Sequence, residues 1–282
     1  MHKRILAVHD ISCIGRCSLT VALPILSAAG IETSVLPTAV LSTHTGNFEG
    51  YTFRDLTQDI APICNHWESL GITFDSIFTG YLGSFEQMEL VKTVFDKFSR
   101  KDTLVMVDPV MGDNGRLYSN LTKDFASGFR DLSKNAHVIT PNLTEAAMLL
   151  DIPYCGEGYT EDYIKNLLKS LADLGPEKIV LTGVSFYESQ LGCAVYDKTS
   201  NETNFVYEEK VEGLYHGTGD VFSSALLAAL MNGLSLPAST AAAVGFTAGA
   251  IRRTRRSGAE TRYGVNFEAG LAEFGLKLKS KK

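Results

Sequence analysis

The chain has 282 residues, 45% of them hydrophobic and 21% charged, with 25 Gly and 8 Pro. That composition excludes a disordered, collagenous or coiled-coil architecture, and a chain of this size can bury a large core. Lys and Arg total 26 against 32 Asp and Glu, a formal net charge of -6, which disfavours general binding to a nucleic-acid backbone.

The elements alternate along the chain. Short β-branched runs at Arg4–Val8, Thr33–Val40, Ser76–Phe78, Thr103–Val107, His137–Ile139 and Lys178–Leu181 predict strands. Between them, apolar residues at three- and four-residue spacing predict helices at Leu19–Ala28, Phe85–Phe98, Leu143–Leu150 and Ile164–Leu174. Gly192–Tyr196 and Asn204–Glu208 then read as two antiparallel strands around the turn residues Asp197–Asn201. A helical stretch follows from Thr218 to Arg256 and includes an apolar helix at Val221–Met231. Strand–helix alternation implies an α/β fold: a mostly parallel sheet between two helical layers, with ligands at the strand C-termini. No repeat or Pro/Ser-rich linker divides residues 1–282, so one domain is expected.

No apolar run approaches the roughly 20 residues of a membrane span. No targeting segment is recognised ahead of the first strand. The five cysteines are an odd number without a CxxC pair. A cytoplasmic protein with reduced thiols is the expectation.

Most predicted strand ends carry a small or polar cluster: Asp10–Gly15, Ser42–Gly46, Thr79–Ser84, Asp108–Gly115, Thr140–Glu145 and Thr182–Gly183. The strongest local signal is Gly217-Thr218-Gly219-Asp220 at the start of an apolar helix. Glycines let backbone N–H groups converge, and a helix start adds partial positive charge, so the place suits a phosphate or a developing oxyanion. An ordinary helix cap after a glycine turn is the structural alternative. Neither GxGxxG nor the Walker pattern fits this stretch, which disfavours a dinucleotide dehydrogenase and a phosphate-loop ATPase.

In Asp108-Pro-Val-Met-Gly-Asp113 two carboxylates lie five residues apart. Such oxygen ligands suit Mg²⁺, although turns are rich in Asp and Gly for conformational reasons alone. In Thr140-Pro-Asn142-Leu-Thr-Glu145, Asn142 and Glu145 have the spacing of a capping box. The functional alternative points Asn142 at a phosphate and Glu145 at a metal through water.

The segments Thr79-Gly-Tyr-Leu-Gly-Ser84, Asp108-Pro-Val-Met-Gly-Asp113, Ile139-Thr-Pro-Asn142 with Glu145, and Gly217-Thr-Gly-Asp220 occur in this order, with His44-Thr45 upstream. Together they resemble the pyridoxal kinases of the ribokinase-like superfamily over roughly residues 4 to 255. The resemblance implies a three-layer α/β/α fold, ATP and Mg²⁺ as co-substrates, and usually a homodimer; it leaves a monovalent cation such as K⁺ open. It makes Asp220 the general base for a B6 hydroxymethyl group, and Gly217, Thr218 and Gly219 the anion hole. It puts Asp108 and Glu145 in the magnesium shell, Asn142 and Thr182 at the phosphates, and the loop Asp113–Tyr118 over the nucleotide. Asp10, His44, Thr45 and Tyr81 fall at the pyridine ring. Many pyridoxal kinases carry serine where Asp10 stands, whereas the related hydroxymethylpyrimidine kinases carry aspartate there and resemble this chain around Asn142. Phosphorylation of a hydroxymethylpyrimidine is therefore the nearest alternative. A dehydratase repairing hydrated NADH on the same fold, and a nucleotide-binding module without catalysis, are more distant ones.

Other features have plainer readings. Arg252, Arg253, Arg255 and Arg256 complement a helix C-terminus, and Lys277–Lys282 read as a soluble tail. Trp67 reads as a packing residue. The six histidines lack metal-ligand spacing, and Cys13 and Cys17 lack further zinc ligands.

Overall fold

The computed structural model describes residues 3–118, 121, 122 and 124–280. The last two lysines of the tail lie outside the described residues. Residues alternate along each strand between two apolar layers. In β1 (Arg4–Ile14), Leu6 and Val8 face one layer and Ile5 the other. In β5 (Leu104–Val107), Val105 and Val107 are set against Met106 in the same way. β4 (Ser76–Thr79), β8 (Val138–Ile139) and β9 (Lys178–Val184) repeat the pattern. This period of two requires apolar cover on both faces.

Helices supply that cover. On one face lie α2 (Thr57–Ser69), α3 (Phe85–Phe98), α4 (Phe125–Ser133), α5 (Leu143–Leu150) and α6 (Glu161–Asp173). On the other lie α1 (Leu19–Ala28), α7 (Thr218–Met231), α8 (Leu236–Ser257) and α9 (Leu271–Lys279). The remaining sheet strands are β2 (Glu32–Thr43), β3 (Phe53–Asp55), β10 (Gln190–Asp197) and β11 (Glu202–Glu209), while β6 (Gly112–Asp113) and β7 (Arg116–Leu117) form a separate small hairpin. The nine strands run in the order β11-β10-β9-β8-β5-β4-β1-β2-β3. Pairing is parallel from β2 to β9 and antiparallel at the two ends. The sheet is the expected three-layer α/β/α one. Among the described residues, no helix is long and apolar enough to cross a membrane.

The chain leaves β1 in one direction to form β2 and returns across it to form β4. The strand order therefore reverses beside β1, and side chains from both directions meet at the strand C-termini.

Several elements correct the sequence expectations. Asp10–Gly15 is not a loop at a strand end. β1 bulges between His9 and Ile11 and runs on to Ile14, paired with β2 alone as far as Thr43. The two strands thus project past the sheet and carry Asp10 into the site. The stretch from Thr218 to Arg256 is broken by a turn at 232–235, where Asn232, Gly233 and Leu234 accept no further helical continuation. β3, α2, α4, α9 and the β6–β7 hairpin were not expected; α2 carries Pro62 inside it and buries only Thr57, Ile60 and Cys64, a faint periodic signal.

Candidate active site

A cavity of about 620 Å³ opens along the C-terminal ends of the parallel strands. The residues that the family resemblance gave a site role line it: Asp10, His44, Thr45, Tyr81, Asp108, Asp113, Tyr118, Asn142, Glu145, Thr182 and Gly217–Asp220. They arrive from β1, β2, the ends of β4, β5 and β8, β9, and the start of α7. Only the tertiary fold brings them together.

α7 begins on Gly217 in the left-handed region, φ 71°, and no side chain caps its first turn. A Cβ on Gly217 would stand 1.9 Å from the carbonyl oxygen of Arg16. Glycine is required there by both conformation and contact. Around Gly219 the opposite holds: a Cβ would meet nothing within 4 Å. Gly219 therefore borders open space, and no side chain among the described residues caps the N–H groups of this helix start, an arrangement suited to an anion.

Asp220 lies in the first turn of α7. Burial pushes its carboxyl up to about 7; the backbone N–H of Ser18 opposes the rise, and the charges of Asp108 and Asp10 add to it. Asp108 accepts a hydrogen bond of 2.6 Å from the hydroxyl of Ser223, one turn further along α7. Thr140 lies within 3.3 Å of the same hydroxyl. Burial raises the Asp108 carboxyl, and it raises Glu145 together with the charge of Asp108. Two buried carboxyls, one raising the other, are a donor set for a hard cation. No group of three or more such ligands occurs among the described residues, so a cation here needs water to complete its shell.

The capping box on α5 is fully formed. Asn142 Oδ1 accepts from the Glu145 N–H at 2.9 Å, and Glu145 Oε2 accepts from the Asn142 N–H at 2.8 Å. Glu145 Oε1 also accepts from the Met111 N–H at 3.2 Å, and Asn142 Nδ2 donates to the Gly112 carbonyl at 2.9 Å. Thr144 Oγ1 accepts from the Gly115 N–H at 2.9 Å. The start of α5 thus caps itself and anchors the β6–β7 hairpin at the cavity edge. One amide hydrogen of Asn142 is left over for a ligand.

At the other end, Asp10 is 4% exposed. Its Oδ2 accepts from the Ser12 hydroxyl at 3.2 Å, and its Oδ1 has no hydrogen-bond partner among the described residues. Burial raises this carboxyl, while the hydroxyls of Ser18 and Ser12 hold it down. His44 donates from Nε2 to the Arg262 carbonyl at 2.6 Å and accepts at Nδ1 from the Gly46 N–H at 3.1 Å. Its ring is neutral and shapes the wall, with both nitrogens already engaged.

Ser18, His216 and Ser223 also line the cavity and were not singled out in the sequence; Cys17 and Thr140, named there without a site role, line it too. Ser223 had a usable signal, its position three residues after Asp220 on a helix start. Ser18 acts on Asp220 through its backbone, which leaves no mark in residue type.

Fold and site define a ribokinase-like kinase. The phosphomethylpyrimidine kinase family model matches residues 33–265. A Bacteroides thetaiotaomicron protein assigned to the phosphomethylpyrimidine kinases, in a crystal form with pyridoxal, is 39% identical and superposes with a TM-score of 0.91 over 99% of this chain and 96% of its own. The pyridoxal kinase of Lactobacillus plantarum is 30% identical, with a TM-score of 0.90 over 99% and 98% of the two chains. A Schizosaccharomyces pombe protein assigned as a pyridoxal kinase is 28% identical over 70% of this chain, a match that spans 58% of its own length. The chain belongs to the phosphomethylpyrimidine kinase family and groups there with the pyridoxal kinases.

Proposed function

We propose that the protein transfers the γ-phosphoryl group of ATP to the hydroxymethyl group of a B6 vitamer: pyridoxal, pyridoxamine or pyridoxine. The observation that carries this reading is Asp220, a carboxylate with its ordinary value shifted to about 7, set beside an uncapped helix start in the cavity that Asp10, Thr45 and Tyr81 also line. Asp220 accepts the hydroxyl proton as the oxygen attacks. The N–H groups at Gly217–Gly219 stabilise charge on the transferred group. Asn142 and Thr182 contact the phosphates, and the hairpin from Asp113 with Tyr118 covers the nucleotide. Asp108 and Glu145 would hold Mg²⁺, which would supply neutralisation of phosphate charge when bound. A monovalent cation such as K⁺ is compatible with this set. The pyridine ring lies against Asp10, His44, Thr45 and Tyr81.

A second reading, phosphorylation of a hydroxymethylpyrimidine, is favoured by Asp10 Oδ1, a buried acceptor without a partner among the described residues that suits an exocyclic amine. A homodimer belongs to the proposal, with exposed Ile14 and Phe53 at the β1–β3 end supplying apolar surface. The test is kcat/KM with ATP and Mg²⁺ for the three vitamers and for hydroxymethylpyrimidine. Turnover of the pyrimidine alone refutes the vitamer reading.

A further inference from the structure

Tyr81 reaches the cavity from the turn at residues 80–84, between β4 and α3. Both glycines of that turn are tied to other elements. The Gly80 N–H donates to the Val8 carbonyl of β1 at 3.2 Å, and a Cβ on Gly80 would stand 2.5 Å from the His9 ring. The Gly83 N–H donates to Gln87 Oε1 at 2.8 Å. Ser84 and Gln87 have the spacing of a capping box at the start of α3, and half of the box is made: Ser84 Oγ accepts from the Gln87 N–H at 3.1 Å. The reciprocal bond of a capping box would return the Gln87 side chain to the Ser84 N–H. Gln87 instead reaches one residue further back, to Gly83. A Cβ on Gly83 would stand 3.7 Å from Gln87 Oε1 and 3.7 Å from the Tyr81 ring and hydroxyl. Tyr81 therefore lies beside the residue that Gln87 holds.

Gln87 is itself fixed from the other side. It is 1% exposed, and its Nε2 donates to the Thr38 carbonyl of β2 at 3.1 Å and to Thr57 Oγ1 at the start of α2 at 2.9 Å. The Leu56 N–H shares the Thr38 carbonyl at 3.0 Å. A carboxamide accepts at one end while donating twice at the other, which a carboxylate of the same shape does not do. We propose that Gln87 is a positioning residue for the vitamer end of the site: through Gly83 it pins the turn at 80–84 to β2 and α2, and so fixes Tyr81 against the substrate ring. This assignment rests on the reading of Tyr81 as a group that meets that ring.

Three variants separate the Gly83 bond from the rest of the network. Gln87→Met fills similar space and loses all three side-chain bonds. Gln87→Glu keeps the acceptor for Gly83 and loses the two donated bonds. Thr57→Val loses one donated bond and leaves Gly83 untouched. All three should melt below wild type, by about 2–4 °C for each bond lost. KM for pyridoxal should rise about tenfold in Gln87→Met, the scale of one hydrogen bond, with kcat within about twofold and KM for ATP unchanged. In Gln87→Glu and Thr57→Val, KM for pyridoxal should stay within about twofold of wild type. In a Tyr81→Ala background Gln87→Met should raise KM no further, because there is no ring left to place.

Hydrogen exchange without substrate supplies an independent readout. The Gly83 amide should exchange about tenfold faster or more in Gln87→Met, and at the wild-type rate in Gln87→Glu and Thr57→Val. KM for pyridoxal is thus expected to follow Gly83 exchange and not the melting temperature, where a merely structural glutamine would make it follow the melting temperature. Wild-type KM in a variant whose Gly83 amide has lost protection overturns the proposal. So does a raised KM in Gln87→Glu or Thr57→Val with that amide still protected, a comparison that stands even if Gln87→Met does not fold. A wild type that turns over no vitamer refutes the assigned activity and this assignment with it, a failure visible before any variant is made.

Discussion

Asp220→Asn tests the chemistry and its electrostatics together. The substitution keeps the size and removes the carboxylate. As the base for an attacking alcohol, Asp220 should contribute about 10²–10⁴ in kcat. Its carboxyl titrates at about 7, so about a tenth is ionised at pH 6 and about nine-tenths at pH 8. Wild-type kcat/KM should accordingly climb about tenfold over that range, and the residual rate of the variant should not. Stability moves the other way. A carboxyl shifted from 3.8 to about 7 by burial carries about 4 kcal/mol of disfavoured ionisation once fully charged. The folded value is raised, so the associated stability is present below about pH 4 and lost as pH rises through about 7. Asn has no charge to bury. Its melting temperature, measured without nucleotide or Mg²⁺, should gain on wild type by about 5 °C between pH 5 and pH 8, since most of that loss falls in this window. Near wild-type turnover refutes the base assignment. A melting gap that is flat with pH refutes the electrostatic argument.

Further expectations follow from single contacts. Gly217→Ala places a methyl group against the Arg16 carbonyl in a left-handed backbone; a loss of about 3 kcal/mol or more is expected in chemical denaturation, with activity lost alongside it. Glu145→Gln should raise the Mg²⁺ concentration for half-maximal rate, and an unchanged Mg²⁺ titration would leave Glu145 a helix cap alone. Asp10→Ser removes the acceptor at Oδ1; kcat/KM should fall about 10- to 150-fold for substrates with a charged donor, and less for neutral pyridoxal. Equal loss on pyridoxal, pyridoxamine and hydroxymethylpyrimidine would make Asp10 structural. Thr144→Val cuts the tether of the hairpin at Gly115, so KM for ATP should rise with kcat largely kept, and an unchanged KM would show that the hairpin needs no such anchor.

Much of this molecule was legible before any coordinates. Parallel strands bury both faces, so their β-branched runs stand out, and helices covering them repeat at three and four residues. The chemistry-bearing side chains were legible too, because turns and helix starts that hold phosphate or metal use few residue types. The glycine turn before Asp220 and the carboxylates at 108 and 145 are of this kind. What the sequence could not show is anything carried by contact between distant segments. β1 runs past the sheet into the site because β2 offers it a partner as far as Thr43. Gly217 is obligatory because Arg16 passes over it. Ser18 stands at the start of α1, yet its side chain caps nothing there and lines the cavity instead. α4 illustrates the same limit: Gly128 weakens its helical signal, yet a Cβ there would meet Met88 Sδ of α3 at 2.2 Å. Local pattern determines which residues can form an element or hold a charge; which of them meet, and which carboxylate is buried where it raises a neighbour, is decided by packing across the sheet.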